Sequence, residues 1–303
     1  MKNIYITGIT GFVGQNLNHF LKKDYQLKGI SRVTSPESLS YTEFFQGNNS
    51  YDAIVHLAGK AHDLKKTADD AAYYEVNYEL TKKLYDHFVQ STAQKFIYIS
   101  SVKAAADEVE GILDENVVPK PVTVYGKSKL KAEEYIMQNL PEDKEVYILR
   151  PCMIHGPGNK GNLNLLYSIV AKGIPYPLGA YKNERSFLSV DNLCFVIEQL
   201  LQKKVPSGIY NIADDFSLAT TDIVSLAGES LERKATILAV PQLVIKAIAK
   251  LGDIAPLPIN SERLQKLTEN YVVSNAKIKK ALGIELPLSS REGLIKTFQS
   301  FRK

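Results

Sequence analysis

The sequence predicts an α/β fold in which a doubly wound parallel sheet is followed by a smaller α/β C-terminal part. Short apolar segments alternate with helical patterns over residues 1–150, which is typical of parallel strands joined by right-handed helical crossovers. A glycine-rich turn at 8–14 separates the first apolar segment from the first helical pattern. After Arg150, Gly and Pro interrupt the pattern repeatedly, as at 156–158 and 174–179, so the architecture is expected to change there.

The apolar patterns define the elements in chain order. Short apolar runs predict strands at 3–7, 26–31, 53–57, 95–100, 145–149 and 208–213. Helical periodicity predicts helices at 15–23, 69–91 and 125–138. Because crossovers of this kind wind to both sides of the first strand, we expect helices on both faces of the sheet.

Composition and charge exclude several classes of protein. The 303 residues are 45% apolar and 23% charged, which is ordinary for a globular chain and unlike disordered, collagen-like or coiled-coil sequences. The formal charge of +4 is too small and too evenly spread to predict a nucleic-acid partner. No apolar run reaches the ~18 residues of a membrane span, and the N-terminus lacks the apolar core of a signal peptide, so we expect a cytoplasmic protein without membrane insertion.

The cysteines and histidines do not predict a metal site. Cys152 and Cys194 lack the spacing of a metal or redox motif. His19, His62 and His87 do not have the spacing of metal ligands either. We therefore expect no bound metal.

The turn at 8–14 predicts a dinucleotide-binding site. Gly8, Gly11 and Gly14 form a G-x-x-G-x-x-G pattern between a predicted strand and a predicted helix. Glycine allows a tight turn and lets the backbone approach a pyrophosphate, which the N–H groups of the first helical turn then bind. A plain tight turn is the alternative. The predicted cofactor contacts of this segment are Gly8, Thr10, Gly11, Phe12, Val13 and Gly14.

The end of the second predicted strand favours NADP(H) over NAD(H). NAD sites usually place an acidic side chain there to bind the ribose 2′-hydroxyl. This chain instead has Ser31 and Arg32, which can hydrogen-bond and neutralise a 2′-phosphate. For Arg32, the alternative is a surface arginine without a ligand, and NAD(H) is then the cofactor.

Tyr125 and Lys129 predict acid–base chemistry. They are spaced i and i+4 in a predicted helix and therefore share one face. Lowering a tyrosine pKa from ~10 to ~7 requires roughly 4 kcal/mol of preferential phenolate stabilisation, which a nearby ammonium and a positive nicotinamide ring could supply. The alternative is the exposed start of an amphipathic helix, where Tyr and Lys are common.

Together with five further segments, these motifs resemble the extended short-chain dehydrogenases/reductases of the sugar-nucleotide epimerase/dehydratase family. The family patterns are D-x-x-x-H-L-A-A, N-x-x-x-T, a serine strand, L-R-P-x-x-V-Y-G-P-G and R-x-F-V-x-V-D. The matching segments are 52–59 (DAIVHLAG), Asn77 with Thr81, 99–101 (ISS), 149–158 (LRPCMIHGPG) and 185–191 (RSFLSVD). Residues after 191 resemble the family only in general texture.

The resemblance implies a Rossmann-type sheet and assigns roles to individual residues. Ser101 and Tyr125 would be catalytic, with Tyr125 as the acid/base and Lys129 as its electrostatic partner. Lys129 would also hold the nicotinamide ribose. The further implied cofactor contacts are Leu57, Ala58, Gly59, Asn77 and Ser100. The implied substrate contacts are Lys103, Asn162, Arg185 and Arg263.

Several of these assignments have alternatives. Asn162 could only cap a helix, and Lys103 could be a solvated loop lysine. His56 ends a predicted buried strand and is expected to be structural. His155 stands where many family members have tyrosine, and we expect it to line the pocket without a catalytic role.

The change of pattern after Arg150 predicts a domain division, and the resemblance implies a substrate class and a homodimer. We expect an NAD(P)-binding domain at 1–160, with returning segments near 187–213, and a mainly substrate-binding part at 161–303. The implied substrate is a UDP-sugar, and the implied dimer pairs helices 69–91 and 125–138. The first helix has more apolar and aromatic residues than one inner face needs, namely Tyr74, Tyr78, Leu84, Tyr85 and Phe88. The alternative is that these residues are buried within the monomer.

Differences from the family pattern reduce the number of reactions that the chain is expected to catalyse. Sugar 4,6-dehydratases have Thr-Asp-Glu where this chain has 101–103 (SVK), so dehydration is disfavoured. The favoured reaction is reduction of a 4-keto-sugar nucleotide by NADPH in surface polysaccharide precursor synthesis, because 121–133 and 158–191 resemble UDP-N-acetyl-6-deoxyhexosamine 4-ketoreductases. The alternative is an NAD-dependent UDP-hexose or UDP-N-acetylhexosamine 4-epimerase. A catalytically silent NADP-sensing regulator is less favoured, because the serine, tyrosine and lysine are all present.

Overall fold

The structure is a computed structural model and describes residues 1–47, 49–61, 69–159, 161–255 and 259–302. Its strands in chain order are β1 (Asn3–Thr7), β2 (Gln26–Ser31), β3 (Ser38–Ser40), β4 (Ala53–His56), β5 (Lys95–Ile99), β6 (Ile112–Leu113), β7 (Glu145–Pro151), β8 (Met153–His155), β9 (Phe187–Ser189), β10 (Gly208–Ile212) and β11 (Val272–Val273). Within these ranges, seven strands form one parallel sheet in the order β10-β7-β5-β4-β1-β2-β3. Two small parallel pairs, β6 with β11 and β8 with β9, lie outside it.

Helices connect these strands and form much of the C-terminal part. In chain order they are α1 (Phe12–Leu21), α2 (Tyr41–Gln46), α3 (Asp70–Tyr74), a π-helix (Glu75–Glu79), α4 (Leu80–Gln90), a 3₁₀ turn (Val102–Ala104), α5 (Val124–Gln138), α6 (Asn162–Ala171), α7 (Val190–Gln202), α8 (Thr220–Ser230), α9 (Gln242–Gly252), α10 (Ser261–Thr268), α11 (Ala276–Leu282) and α12 (Ser290–Gln299). Among the described residues, no helix is both long enough and apolar enough to cross a membrane.

Both faces of the main sheet are covered because successive strand residues point to opposite sides. Ile4 and Ile6 pack with α1, α7 and α11 on one face. Ile54 and Phe96 pack with α2, α4 and α5 on the other. This arrangement confirms the predicted doubly wound sheet.

The C-terminal part has a hydrophobic core of its own. Leu166 of α6, Ile223 of α8 and Phe298 of α12 are buried together in it, and α9 and α10 pack onto the same core. β10 returns from this half of the chain to the edge of the main sheet, where Gly208 pairs with Tyr147 of β7.

The strand order reverses between β1 and β4. Their last residues, Thr7 and His56, are in register at the carboxyl edge of the sheet. In open parallel sheets, ligands bind in the crevice at this point. The segments that follow β1 and β4 are therefore positioned to form a site.

The structure corrects the predicted boundaries of two helices. The helix predicted at 15–23 begins at Phe12, because Gly11 is its N-cap and the last part of the glycine turn is already helical. The helix predicted at 69–91 is α3, the π-helix and α4 in succession.

Several regions contain elements that the sequence patterns do not predict, among them 32–52 and most of the chain after Pro151. Residues 32–52 contain β3 and α2, whose N-terminus is fixed by a capping box between Ser40 and Glu43. The S-x-x-E spacing at 40–43 was a signal that could have revealed α2.

The apolar residues of α4 do not form the dimer surface that their number predicts. Leu84, Tyr85 and Phe88 are fully buried within the monomer, so their apolar character does not indicate a partner surface. Tyr74 and Tyr78, in α3 and the π-helix, are half-buried and are the residues of the predicted set that reach the surface.

Candidate active site

The glycine turn lies at the carboxyl end of β1. Gly8 has a φ of +68°, in the left-handed region that favours glycine. A Cβ at Gly14 would stand 2.2 Å from the Gly8 carbonyl oxygen, so α1 can approach the turn only without a side chain there. Gly11, the N-cap, offers no capping side chain, and the first N–H groups of α1 can therefore bind an anion. The other predicted contacts border the turn as exposed or half-buried side chains: Thr10, Phe12 and Val13.

Ser31 and Arg32 lie at the carboxyl end of β2, next to β1. The Ser31 hydroxyl accepts a hydrogen bond from the Val33 N–H at 3.3 Å. Arg32 is exposed, and no acidic residue follows β2 directly. Both side chains thus occupy the position where dinucleotide folds recognise the ribose 2′-substituent.

The segment 57–59 follows β4 and lies close to both the glycine turn and α5. A Cβ at Gly8 would stand 2.9 Å from the Ala58 nitrogen. A Cβ at Gly59 would stand 3.0 Å from Lys129 Nζ. These close approaches form a narrow cradle for a flat or extended ligand, and the residues fit the dinucleotide that the glycine turn predicts.

Asn77 lies in the π-helix, and its buried side chain joins two other segments. Its Oδ1 accepts a hydrogen bond from the Lys60 N–H at 2.8 Å. Its Nδ2 donates to the Lys60 carbonyl and to Ser128 Oγ, both at 3.0 Å. Asn77 thereby fixes the loop after β4 against the helix that carries Tyr125.

Ser101 and Tyr125 meet where β5 ends and α5 begins. A hydrogen bond with Ser101 stabilises the ionised form of Tyr125, but burial is the larger effect and raises the pKa of Tyr125 above its usual value. Ser101 Oγ also accepts from the Lys103 N–H at 3.2 Å. The protein alone therefore holds this tyrosine protonated at neutral pH, as a proton donor must be.

Lys129 is an almost fully buried cation one helical turn after Tyr125. Its Nζ donates to the Ile99 carbonyl at 2.9 Å and lies 4.8 Å from the ring centroid of Tyr98. Burial lowers the pKa of Lys129 to about 8, although the Glu133 carboxylate acts in the opposite direction. A cation held here can favour negative charge on groups in the crevice.

A buried ion pair lies behind these residues, and sequence reasoning missed it. Glu133 accepts hydrogen bonds from Arg150 Nε at 3.0 Å and Nη2 at 2.5 Å, and their side chains are 1% and 2% exposed. Ser100 Oγ donates to the same carboxylate. Ser100 therefore points towards this pair. The signal available in the sequence was the spacing of Glu133, two turns after Tyr125 on one face of α5.

Two of the predicted substrate residues lie near one aromatic side chain. Lys103 Nζ donates to the Asp107 carbonyl at 2.6 Å and stands 4.3 Å from the ring centroid of Tyr271. Arg185 pairs with Tyr271 through the backbone, and its guanidinium is 3.5 Å from the Glu269 carboxylate. Burial lowers the pKa of Lys103 despite the attraction of nearby carboxylates. The structure thus brings Lys103 and Arg185 together on the C-terminal side of the crevice.

The structure relates the other two predicted substrate residues to the crevice less directly. Arg263 lies in α10, the helix whose Lys266 carbonyl accepts a hydrogen bond from Arg185. Asn162 is the first residue of α6, and its side chain lies outside the described part of the structure.

Two histidines have structural environments. His56 is buried between Thr7 Oγ1 and Thr81 Oγ1, at 2.6 and 2.8 Å, and burial lowers its pKa to about 3. It therefore stays neutral and ties β4 to β1 and α4. His155 is also fully buried, with Nδ1 2.8 Å from Thr297 Oγ1, so it is a core residue and does not line the pocket as expected. His62, whose spacing does not fit a metal ligand, lies outside the described residues.

Comparison with known proteins agrees with this geometry. Residues 4–213 match the NAD dependent epimerase/dehydratase family. The chain belongs to this family. A UDP-glucose 4-epimerase of Vibrio cholerae is 31% identical, over 99% of this chain and 95% of that protein. An Escherichia coli O157:H7 protein, named N-acetyl-alpha-D-glucosaminyl-diphospho-ditrans,octacis-undecaprenol 4-epimerase, is 27% identical over 98% and 94%.

Solved structures of other proteins share the fold of this chain. The UDP-N-acetylglucosamine 4-epimerase from Bacillus cereus superposes with a TM-score of 0.78 at 20% identity, over 100% of both chains. RMD from Pseudomonas aeruginosa, complexed with NADPH, gives a TM-score of 0.73 at 20% identity, over 99% and 98%. The predicted resemblance to extended short-chain dehydrogenases/reductases is thus confirmed, and the chain is an NAD(P)-dependent enzyme of this type.

Proposed function

We propose that the protein is an NADP(H)-dependent 4-ketoreductase that acts on a UDP-linked sugar for surface polysaccharide precursors. The observation that carries this proposal is the combination of Ser101, Tyr125 and Lys129 in one crevice with Ser31 and Arg32 at the end of β2. The first three would supply the proton, the hydrogen bond and the positive charge that reduction of a sugar carbonyl requires. The other two favour a cofactor that is used and released in each turnover.

The chain's own residues handle the proton and the orientation of the carbonyl. When bound, the cofactor supplies a hydride to C4. Tyr125 donates its proton to the oxygen of the former carbonyl, which becomes the hydroxyl, and Ser101 hydrogen-bonds the same oxygen. Lys129 stabilises the tyrosinate that remains, until a solvent proton restores Tyr125.

The substrate's diphosphate would lie against polar side chains of the C-terminal part. Arg185 is the principal candidate, and Arg263 and the amide of Asn162 are further ones, whereas Lys103 would hydrogen-bond a sugar oxygen. Arg185 faces Glu269 at 3.5 Å, so binding a diphosphate would exchange one anionic partner for another. We also propose the division into a cofactor part at 1–160, with returning segments near 187–213, and a mainly substrate-binding part at 161–303.

The alternative function is an NAD-dependent 4-epimerase of a UDP-hexose or UDP-N-acetylhexosamine. The name of the Vibrio cholerae relative favours it, and the name of the Escherichia coli relative favours 4-epimerisation, there of a sugar linked to diphospho-undecaprenol. An epimerase returns the hydride to the same sugar and consumes no cofactor, whereas a reductase consumes one NADPH for each product formed. A silent NADP-sensing regulator would bind NADPH and do neither.

The deciding experiment follows cofactor absorbance and sugar product together. Incubation with a UDP-4-keto-sugar and NADPH should oxidise one equivalent of NADPH for each hydroxyl sugar formed. Tyr125→Phe should reduce turnover by about 10²–10⁴-fold while NADPH binding persists. Interconversion of UDP-hexoses without net cofactor use would identify the epimerase. Unchanged turnover of Tyr125→Phe, with chemistry rate-limiting, would show that the proton comes from another group.

The choice of cofactor is tested at Arg32. Arg32→Ala removes a charge-assisted contact to a 2′-phosphate, and NADPH should bind about 10–100-fold more weakly while NADH affinity hardly changes. Lys23→Ala, another exposed basic residue, is the matched control. Equal loss of both cofactors in Arg32→Ala would contradict recognition of the 2′-phosphate.

We also propose a homodimer that pairs the helical segments 69–91 and 125–138. With Leu84, Tyr85 and Phe88 buried internally, its support is the half-exposed Tyr74 and Tyr78 and the family resemblance. Sedimentation of the intact chain at high concentration should give twice the monomer mass of 33.8 kDa. A species of monomer mass would exclude the dimer.

A further inference from the structure

Helix α9 presents an apolar face to solvent. Its inner side packs through Ile245 and Ala249 against the C-terminal core. Its outer side, with the turn that follows, has five large exposed apolar side chains: Leu243 (82% exposed), Val244 (47%), Ile248 (40%), Leu251 (61%) and Ile254 (90%). A single exposed leucine is ordinary, but a contiguous apolar set of this kind indicates an interaction surface.

Basic residues border this apolar face on one side. Leu243, Ala247 and Leu251 are four residues apart and form one row along the helix. Lys246 and Lys250 form the adjacent row, and both are exposed. The sequence of α9, QLVIKAIAKLG, contains no acidic residue.

We propose that the outer face of α9 docks the protein on an anionic membrane surface. A helix with an apolar face beside lysines lies in the plane of the headgroup boundary, where the apolar row enters the lipid and the lysines meet lipid phosphates. An apolar protein surface would leave both lysines without counter-charges. The contact is peripheral, because a helix of 11 residues is far too short to span a bilayer.

The position of α9 relates this surface to the substrate side of the crevice. Gln242 Nε2, in the first turn of α9, donates to the Ala180 carbonyl at 3.1 Å. α9 also packs against α10, whose Lys266 carbonyl accepts a hydrogen bond from Arg185. Docking through α9 would therefore hold the C-terminal part against the bilayer. This inference does not depend on the proposed reaction.

The absence of tryptophan from the chain permits a direct test. Leu251→Trp places a single tryptophan on the outer face of α9, and Phe216→Trp places one at another exposed apolar position, 69% exposed, as the matched control. Fluorescence of each full-length variant is recorded with vesicles of phosphatidylcholine alone and with vesicles that contain phosphatidylglycerol. A second pair of measurements adds Lys246→Gln and Lys250→Gln to the Leu251→Trp variant.

The expected result is a blue shift of Leu251→Trp emission with anionic vesicles, reversed by high salt, and no shift for Phe216→Trp. Loss of both lysines should weaken vesicle binding about 25-fold, from about 5-fold for each lysine. If Leu251→Trp emission does not shift with anionic vesicles at low salt, the proposal is overturned. A shift that rises with protein concentration without vesicles would overturn it in favour of a second copy on this face, and equal shifts in both variants would show non-specific adsorption.

Discussion

The buried pair of Glu133 and Arg150 offers a sharp test of the energetics behind the site. Glu133→Gln preserves the size of the side chain but removes its charge. The guanidinium of Arg150 then remains 2% exposed without a counter-charge, and the amide cannot accept on both of its terminal atoms. Ser100 also faces an altered partner.

The expected cost is about 3–5 kcal/mol, the usual penalty for leaving one member of a buried pair uncompensated. For a chain of 303 residues, this corresponds to a fall of roughly 5–8 °C in the unfolding midpoint. Replacing both members, as in Glu133→Leu with Arg150→Met, removes both buried charges. The double variant should therefore be more stable than Glu133→Gln.

Denaturant unfolding of the single and double variants measures these differences. Glu262→Gln is the control, because its i,i+4 pair with Lys266 is 59% and 63% exposed and should contribute at most about 0.5 kcal/mol. The reasoning fails if Glu133→Gln costs no more than Glu262→Gln. It also fails if the double variant is as unstable as the single one.

Two further predictions concern Lys129 and Gly14. Because the folded-state pKa of Lys129 is about 8 and the unfolded value is 10.5, the unfolded chain binds more protons between these values, and stability rises with pH across this window. Lys129→Met lacks this rise. Its free energy of unfolding relative to wild type, measured by denaturant titration, should therefore fall by about 2–3 kcal/mol between about pH 7 and about pH 10. A difference in unfolding free energy that stays constant with pH would exclude a buried, charged lysine. Gly14→Ala places a Cβ 2.2 Å from a backbone oxygen and should displace the glycine turn, weakening NADPH binding by at least about tenfold in a fluorescence titration. Cofactor affinity equal to wild type would show that the turn does not cradle the dinucleotide.

The local features of the fold were readable from the sequence. Strands such as β1 and β5 are short apolar runs whose bounds follow from neighbouring residues. The glycine turn requires small residues at fixed spacing, and the i,i+4 relation puts Tyr125 and Lys129 on one face of α5 wherever that helix packs. These properties depend on the chain within a few residues of each position.

Features that join distant segments were decided by tertiary packing. Nothing near Arg150 in the sequence indicates that Glu133 neutralises it, because the pair forms only when α5 lies across β7. Likewise, Leu84 and Phe88 could have faced a partner subunit or the interior, and packing against the sheet placed them inside.

The sequence by itself determined a doubly wound sheet, a dinucleotide turn and a tyrosine with its lysine. Only the tertiary structure decided which charges are buried, that burial raises the pKa of Tyr125, and that α9 exposes its apolar residues. The physical reason is desolvation. A spacing rule fixes which side chains are neighbours on one element, but the removal of water from a charge or an apolar group depends on every element that packs around it.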